Sequence, residues 1–169
     1  MAMPGKHSIR YRVDLLILAM FSAAALDMGT TYYFVSQHLG TEANPVLGPL
    51  VRHSTLWIPL YLAVPTVFIP TMPEVCRQSF AAGHAATSFL AGSNNLSGIL
   101  TGNYFWVDRF GFQSLLLVGL CCGVVTFLGM LAATRAGSRV IGRALLHVVL
   151  WVGLLAIIEA LFWGLGRIL

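Results

Sequence analysis

Residues 80–100 read FAAGHAATSFLAGSNNLSGIL. The run contains no proline and no Asp, Glu, Lys or Arg, and it is long enough for one crossing of a ~30 Å hydrocarbon layer. It is also unusually small and polar for a membrane helix. Small residues let helix backbones approach closely, so such a helix belongs inside a bundle and not against lipid. His84, Thr87, Ser88, Ala91, Asn94, Asn95 and Gly98 recur at the three-or-four spacing that shares one helix face. That face predicts a polar stripe buried among other helices.

The rest of the chain supplies those helices. Of 169 residues only 9% are charged and 57% are hydrophobic, with a mean hydropathy of +0.81. Soluble domains carry about a quarter charged residues, so the composition reads as an all-α integral membrane protein with no sizeable soluble domain. The net charge of +4 and pI of 9.3 come from basic residues set singly at the ends of apolar segments. Membrane topology accounts for them, and nucleic acid is excluded as a partner. Cys76, Cys121 and Cys122 form no CxxC pair and read as packing residues. The first 27 residues mimic a signal peptide, with basic residues, an apolar stretch and three alanines; we read them as a retained first span.

A single transmembrane domain with spans at about 13–40, 56–72, 80–101, 113–133 and 142–166 follows from the apolar runs and their breaks. The second span is the least regular, because Pro59, Pro65 and Pro70 remove backbone donors. Five spans with the N-terminus inside put Lys6, Arg10, Arg12, Arg77, Arg135, Arg139 and Arg143 in the cytoplasm. Only Arg52, Arg109 and Arg167 then lie outside, so the positive-inside rule predicts an N-in, C-out, multi-pass protein of the cell membrane.

Asp27 and Glu159 are the two acids deep within apolar spans, where an ionisable group costs at least ~2.5 kcal/mol unless partnered or protonated. Counted at ~1.5 Å per residue, Asp27, Asn94 and Glu159 reach a similar level in the outer third of the bilayer. With Thr30, Thr31, Glu42, Asn44 and Asn95 they form a candidate polar layer. Acids joined by amide and hydroxyl oxygens suit a divalent cation such as Ca²⁺ or Mg²⁺, or a shared proton; the alternative is that neutral carboxyls bond helices together. Asn44 and Pro45 also read as a helix cap and first helical residue, with Glu42 close by. His84 and His147 both lie near the inner ends of their spans, a placement that permits an axial haem pair. A buried histidine bonded to a neighbour is the commoner arrangement.

LDMGTTYYFVSQHLGTEANP (26–45), followed by the Asn94–Asn95 pair, resembles a family of small bacterial and archaeal membrane proteins of unknown activity. Its members show D-x-x-T-T, then E-x-N-P, then an Asn pair. The matching positions are Asp27, Thr30, Thr31, Glu42, Asn44, Pro45, Asn94 and Asn95, within about residues 13–100. Members often carry a lysine in the second span, where this chain has apolar residues and prolines. The resemblance implies a membrane fold and no particular reaction.

SFAAGHAATSF (79–89) is similar to the P-S-G-H segment of the membrane phosphatidic-acid phosphatases, which implies a phosphate role for His84. Ala81 and Ala82 stand where that segment has Pro and Ser. Ser138, Arg139 and His147 partly match the downstream S-R-x5-H motif, with seven intervening residues in place of five and no following Asp. The upstream cationic motif is missing. Without a complete catalytic set, the sequence points to an accessory subunit that packs with other membrane subunits or its own copies, amid membrane lipids. The alternative is a small cation or proton transporter using the outer polar layer, followed by an intramembrane hydrolase or degenerate lipid phosphatase.

Overall fold

The computed structural model describes residues 6–39, 47–60, 63, 69–134 and 137–168; for residues 6–14 and several residues of the last helix, Glu159 among them, the description is of the backbone. All regular structure among them is helical. The elements are α1 (Lys6–Ser36), α2 (Leu47–Val51), a 3₁₀ turn (Ile69–Thr71), α3 (Glu74–Thr101), α4 (Val107–Phe110), α5 (Gln113–Ala133) and α6 (Ser138–Ile168). Four of the five sequence-derived spans coincide with long helices. α3 starts six residues earlier than its apolar run, because Pro73 supplies a preset backbone angle (φ −54°) just before the first turn. It ends where Gly102 turns left-handed (φ 73°) and donates its N–H to the Gly98 carbonyl at 2.9 Å.

α3 is the central helix, lying along α1 on one side and α5 on the other. Glycines set both seams. A β-carbon at Gly92 would sit 2.8 Å from the Asp27 backbone nitrogen and 2.9 Å from Leu26 Cγ on α1. On the opposite side, a β-carbon at Gly83 would lie 2.7 Å from the Gly119 carbonyl oxygen, and one at Gly123 would lie 3.1 Å from that of Ser79. One at Gly119 would collide with Thr87 Oγ1. Backbones this close leave no room for side chains between them, the packing that small residues at four-residue spacing allow.

The contacts also fix direction. Met20 packs with Ala81, while Thr31 meets Asn95 further along both helices, so α1 and α3 run parallel. Ser79 lies opposite Gly123 and Thr87 opposite Leu115, so α5 is antiparallel to both. We call the end holding the starts of α1 and α3 the lower end. Ala144, early in α6, is buried with Met72 and Cys76 at that lower end, and α6 also reaches α2, which lies at the upper end. α6 therefore climbs alongside α3.

Because α1 and α3 are parallel, the chain must descend between them. Ile58 is fully buried with Leu47 and Val51 against Met28 and Val35 of α1, at the upper end. Ile69 is buried with Met20 and Ala81 against Leu16 and Ile17, at the lower end. The middle of the second sequence-derived span lies outside the described residues, yet its two flanks sit at different heights along α1.

Among the described residues, two helices are long and apolar enough to cross a membrane, Leu15–Ser36 and Gln113–Ala133. Their surfaces and that of α6 are strongly apolar: Leu117, Leu120 and Val125 on α5 and Leu146, Val149 and Leu161 on α6 are each more than half exposed. Apolar surface on this scale is covered by lipid or by another protein.

Candidate functional site

The candidate polar residues separate into two bonded groups and a third, basic one. The first joins α1 to α3. Asn95 Nδ2 donates to Thr31 Oγ1 at 2.9 Å, and the Thr31 hydroxyl donates to Asp27 Oδ1 at 3.4 Å. Thr31 is 7% exposed, so its hydroxyl has this one donor and one acceptor in place of water. The chain amide–hydroxyl–carboxyl fixes one oxygen of Asp27 as an acceptor and leaves the acid part of an interhelical tie. Thr30 turns instead to its own helix, donating to the Leu26 and Asp27 carbonyls. Neighbouring threonines thus divide between an external and a local bond.

Hydrogen bonds between helices in membranes average about 0.6 kcal/mol and reach about 1.7 kcal/mol. A double-mutant cycle of Thr31→Val and Asn95→Leu, read by unfolding in detergent, is expected to give a coupling within that range. Coupling near zero would leave the Asn95–Thr31 bond without energetic weight.

The second group forms at the top of α3. Asn94 is 3% exposed, and its Oδ1 accepts from the backbone N–H groups of Trp106 at 3.1 Å and Val107 at 3.2 Å. These are orphan donors at the start of α4, so Asn94 serves as a cap delivered from another helix. The loop is held further by Trp106 Nε1 donating to Ser114 Oγ at 2.8 Å and by the Tyr104 N–H donating to Asp108 Oδ2 at 3.0 Å. The Tyr104 ring occupies the notch left by Gly98 and meets Phe34 edge-on at 5.7 Å. Burial and then the Asp108 carboxylate push the Tyr104 phenol above its usual range.

The Asn pair therefore does not act as a unit. Successive residues on a helix point about 100° apart, and the close α1 seam turns Asn95 toward Thr31 while Asn94 faces the α4 loop. The sequence-derived stripe splits in the same way: Thr87 donates to the Gly83 carbonyl at 3.1 Å and to the Leu115 carbonyl of α5 at 3.4 Å, whereas Asn95 turns to Thr31 of α1. Among the described residues, no group of three His, Cys, Asp or Glu is placed to hold a metal ion. Glu42 and Asn44, with the cap expected there, lie outside the described residues, as does the side chain of Glu159.

The third group is basic and sits low in the bundle. His84 stacks on Phe80, rings 5.5 Å apart and nearly parallel, and its Nε2 is buried with no hydrogen-bond partner among the described residues. Arg77 Nε, two turns lower on the same face of α3, is buried in the same condition. On α6, His147 Nδ1 bonds the Arg143 carbonyl at 2.8 Å. Measured from the Cys76–Ala144 contact, His84 stands eight residues up α3 and His147 three residues up α6. A difference of five residues separates the two rings by roughly 7.5 Å in height. An unsatisfied buried nitrogen costs about 1–3 kcal/mol, and phenylalanine would keep the stack on Phe80 without it. His84→Phe is accordingly expected to raise unfolding stability by about 1 kcal/mol; a loss of stability would show that the imidazole has a partner in the native membrane.

Sequence reasoning misses the buried Arg77, which it counts only as a topology signal. A basic residue two turns from a histidine on the same face was the available clue. No protein-family description, curated protein or solved structure matches this chain.

Proposed function

We propose that the chain is a five-crossing, N-in, C-out protein of the cell membrane that serves as a non-catalytic accessory subunit, packing with other membrane subunits. The observation that carries this reading is the use made of the polar residues: Asn95 and Thr31 bond each other, Asn94 caps α4, and Thr87 bonds α5. Groups spent on helix-to-helix bonds are structural ties. The parallel run of α1, α3 and α6, the antiparallel α5 and the opposed burial of Ile58 and Ile69 support five alternating crossings. The resemblance over residues 13–100 agrees with a small membrane protein.

Purification from native membranes in mild detergent tests the subunit reading. Stoichiometric recovery with a larger membrane assembly is the expected result; recovery as a lone monomer or a lone homo-oligomer overturns it.

A second reading, a small cation or proton transporter, draws support from the bonded chain that ends on Asp27. Uptake of labelled divalent cation or acidification of a trapped dye in liposomes, abolished by Asp27→Asn, would favour it. Equal flux in wild type and Asp27→Asn would remove it.

A further inference from the structure

We infer that the lower corner between α3 and α6 binds the phosphate of an anionic phospholipid through Arg77 and Arg143. The inference rests on the membrane-spanning reading but not on the presence of a partner complex. Its starting point is the buried contact in which Cys76 Sγ approaches the Ala144 carbonyl oxygen at 3.7 Å. Met72, Cys76 and Ala144 are buried together there, with Phe80 and Phe127 packed against them. Arg77 directly follows Cys76, and Arg143 directly precedes Ala144, so this contact brings the two arginines to one level on adjacent helices.

Their states are complementary. Arg77 is partly buried, and its Nε meets no acceptor among the described residues. A guanidinium stays charged at any ordinary pH, so a buried Nε–H calls for an anionic oxygen. Arg143 is exposed, and Arg139, one turn below it, is exposed as well. Glu74, one turn below Arg77, is exposed and forms no ion pair with it among the described residues. The corner thus holds an excess of guanidinium groups, whose planar forks match phosphate oxygens in pairs.

The surroundings favour a lipid over a free ion. Above Arg143, at three- and seven-residue spacing on its own helix face, Leu146 and Leu150 are more than half exposed, an apolar strip along which acyl chains lie while the headgroup meets the arginines. Under the N-in topology this corner faces the cytoplasmic leaflet, where anionic lipids are concentrated and where basic pockets between helices hold their headgroups.

The test measures lipid retained by the full-length protein in detergent, offered equal amounts of phosphatidylglycerol and phosphatidylcholine and read by native mass spectrometry. Wild type is expected to retain the anionic lipid about tenfold over the neutral one. Arg143→Gln, at an exposed position that leaves the fold unchanged, is expected to cut this preference about threefold. Arg77→Gln with Arg143→Gln is expected to remove it, whereas Arg109→Gln at the opposite end is expected to leave it intact. An unchanged preference in the double variant, or an equal loss in Arg109→Gln, overturns the site. Inorganic phosphate is the competing probe: if it binds at the same arginines while the two lipids are retained equally, the lipid assignment is overturned in favour of a free anion. Co-purification of partners enters none of these readouts, so the subunit reading and the lipid site fail separately.

Discussion

Replacing Gly119 with valine is expected to lower stability by about 3 kcal/mol or more, the upper range for forcing extra atoms into a packed interior. A β-carbon there runs into Thr87 Oγ1 and lies 2.8 Å from the Gly83 carbonyl oxygen, so the obstruction includes backbone that no rotamer change relieves. Separating the helices would also lengthen the 3.4 Å bond from Thr87 to the Leu115 carbonyl. Gly129 is the internal control. It lies on the same helix with nothing within 4 Å of its would-be β-carbon, so Gly129→Val is expected to be neutral within about 0.5 kcal/mol. The measurement is the denaturant midpoint of each variant in the same detergent. Equal midpoints for the two variants would mean that α3 and α5 do not meet through their glycines.

Asn94→Leu is the second large effect expected, a loss of about 2–4 kcal/mol. The substitution leaves the N–H groups of Trp106 and Val107 without an acceptor at a partly buried site, and each orphan donor costs about 1–3 kcal/mol. Part of that cost is relieved if the loop swings into water, so the sum of two full penalties is an upper bound. Asn94→Asp keeps an accepting oxygen but buries an ionisable group, so it is expected to lose less stability than Asn94→Leu without matching wild type. Hydrogen exchange locates the effect: the amides of residues 106 and 107 should exchange faster in Asn94→Leu, with helix α1 unchanged. Uniformly faster exchange throughout the bundle would contradict a local capping role.

These expectations expose an unevenness in what the primary structure reveals. The 80–100 run announced a central helix through its alanines, glycines and serines, and α3 does lie between α1 and α5. The helix at about 113–133 was legible, because an unbroken apolar run begins and ends at turn residues. Asn94 and Asn95 were grouped into one polar layer because they share a depth. Depth is a sum of rises along one helix and is readable from spacing, but rotation about the helix axis is not. The glycine seams set that rotation, and they send one asparagine to Thr31, 64 residues away in sequence, and the other to the α4 loop. Arg77 was equally opaque, because its nearness to Arg143 arises from one contact between Cys76 and Ala144, 68 residues apart.

The sequence by itself determined that the chain is helical, where its long apolar segments lie and which of them is small enough to sit at the centre. Those properties depend on local composition and on the 3.6-residue period, which neighbours in the chain fully specify. The tertiary structure alone decided which polar groups meet, that α1 and α3 run side by side, and that Cys76 is buried against Ala144. Such pairings depend on how closely two backbones approach and on the angle at which each helix is turned. Both are fixed by steric contacts between residues far apart in the chain, such as Thr87 with Gly119 and Asp27 with Gly92.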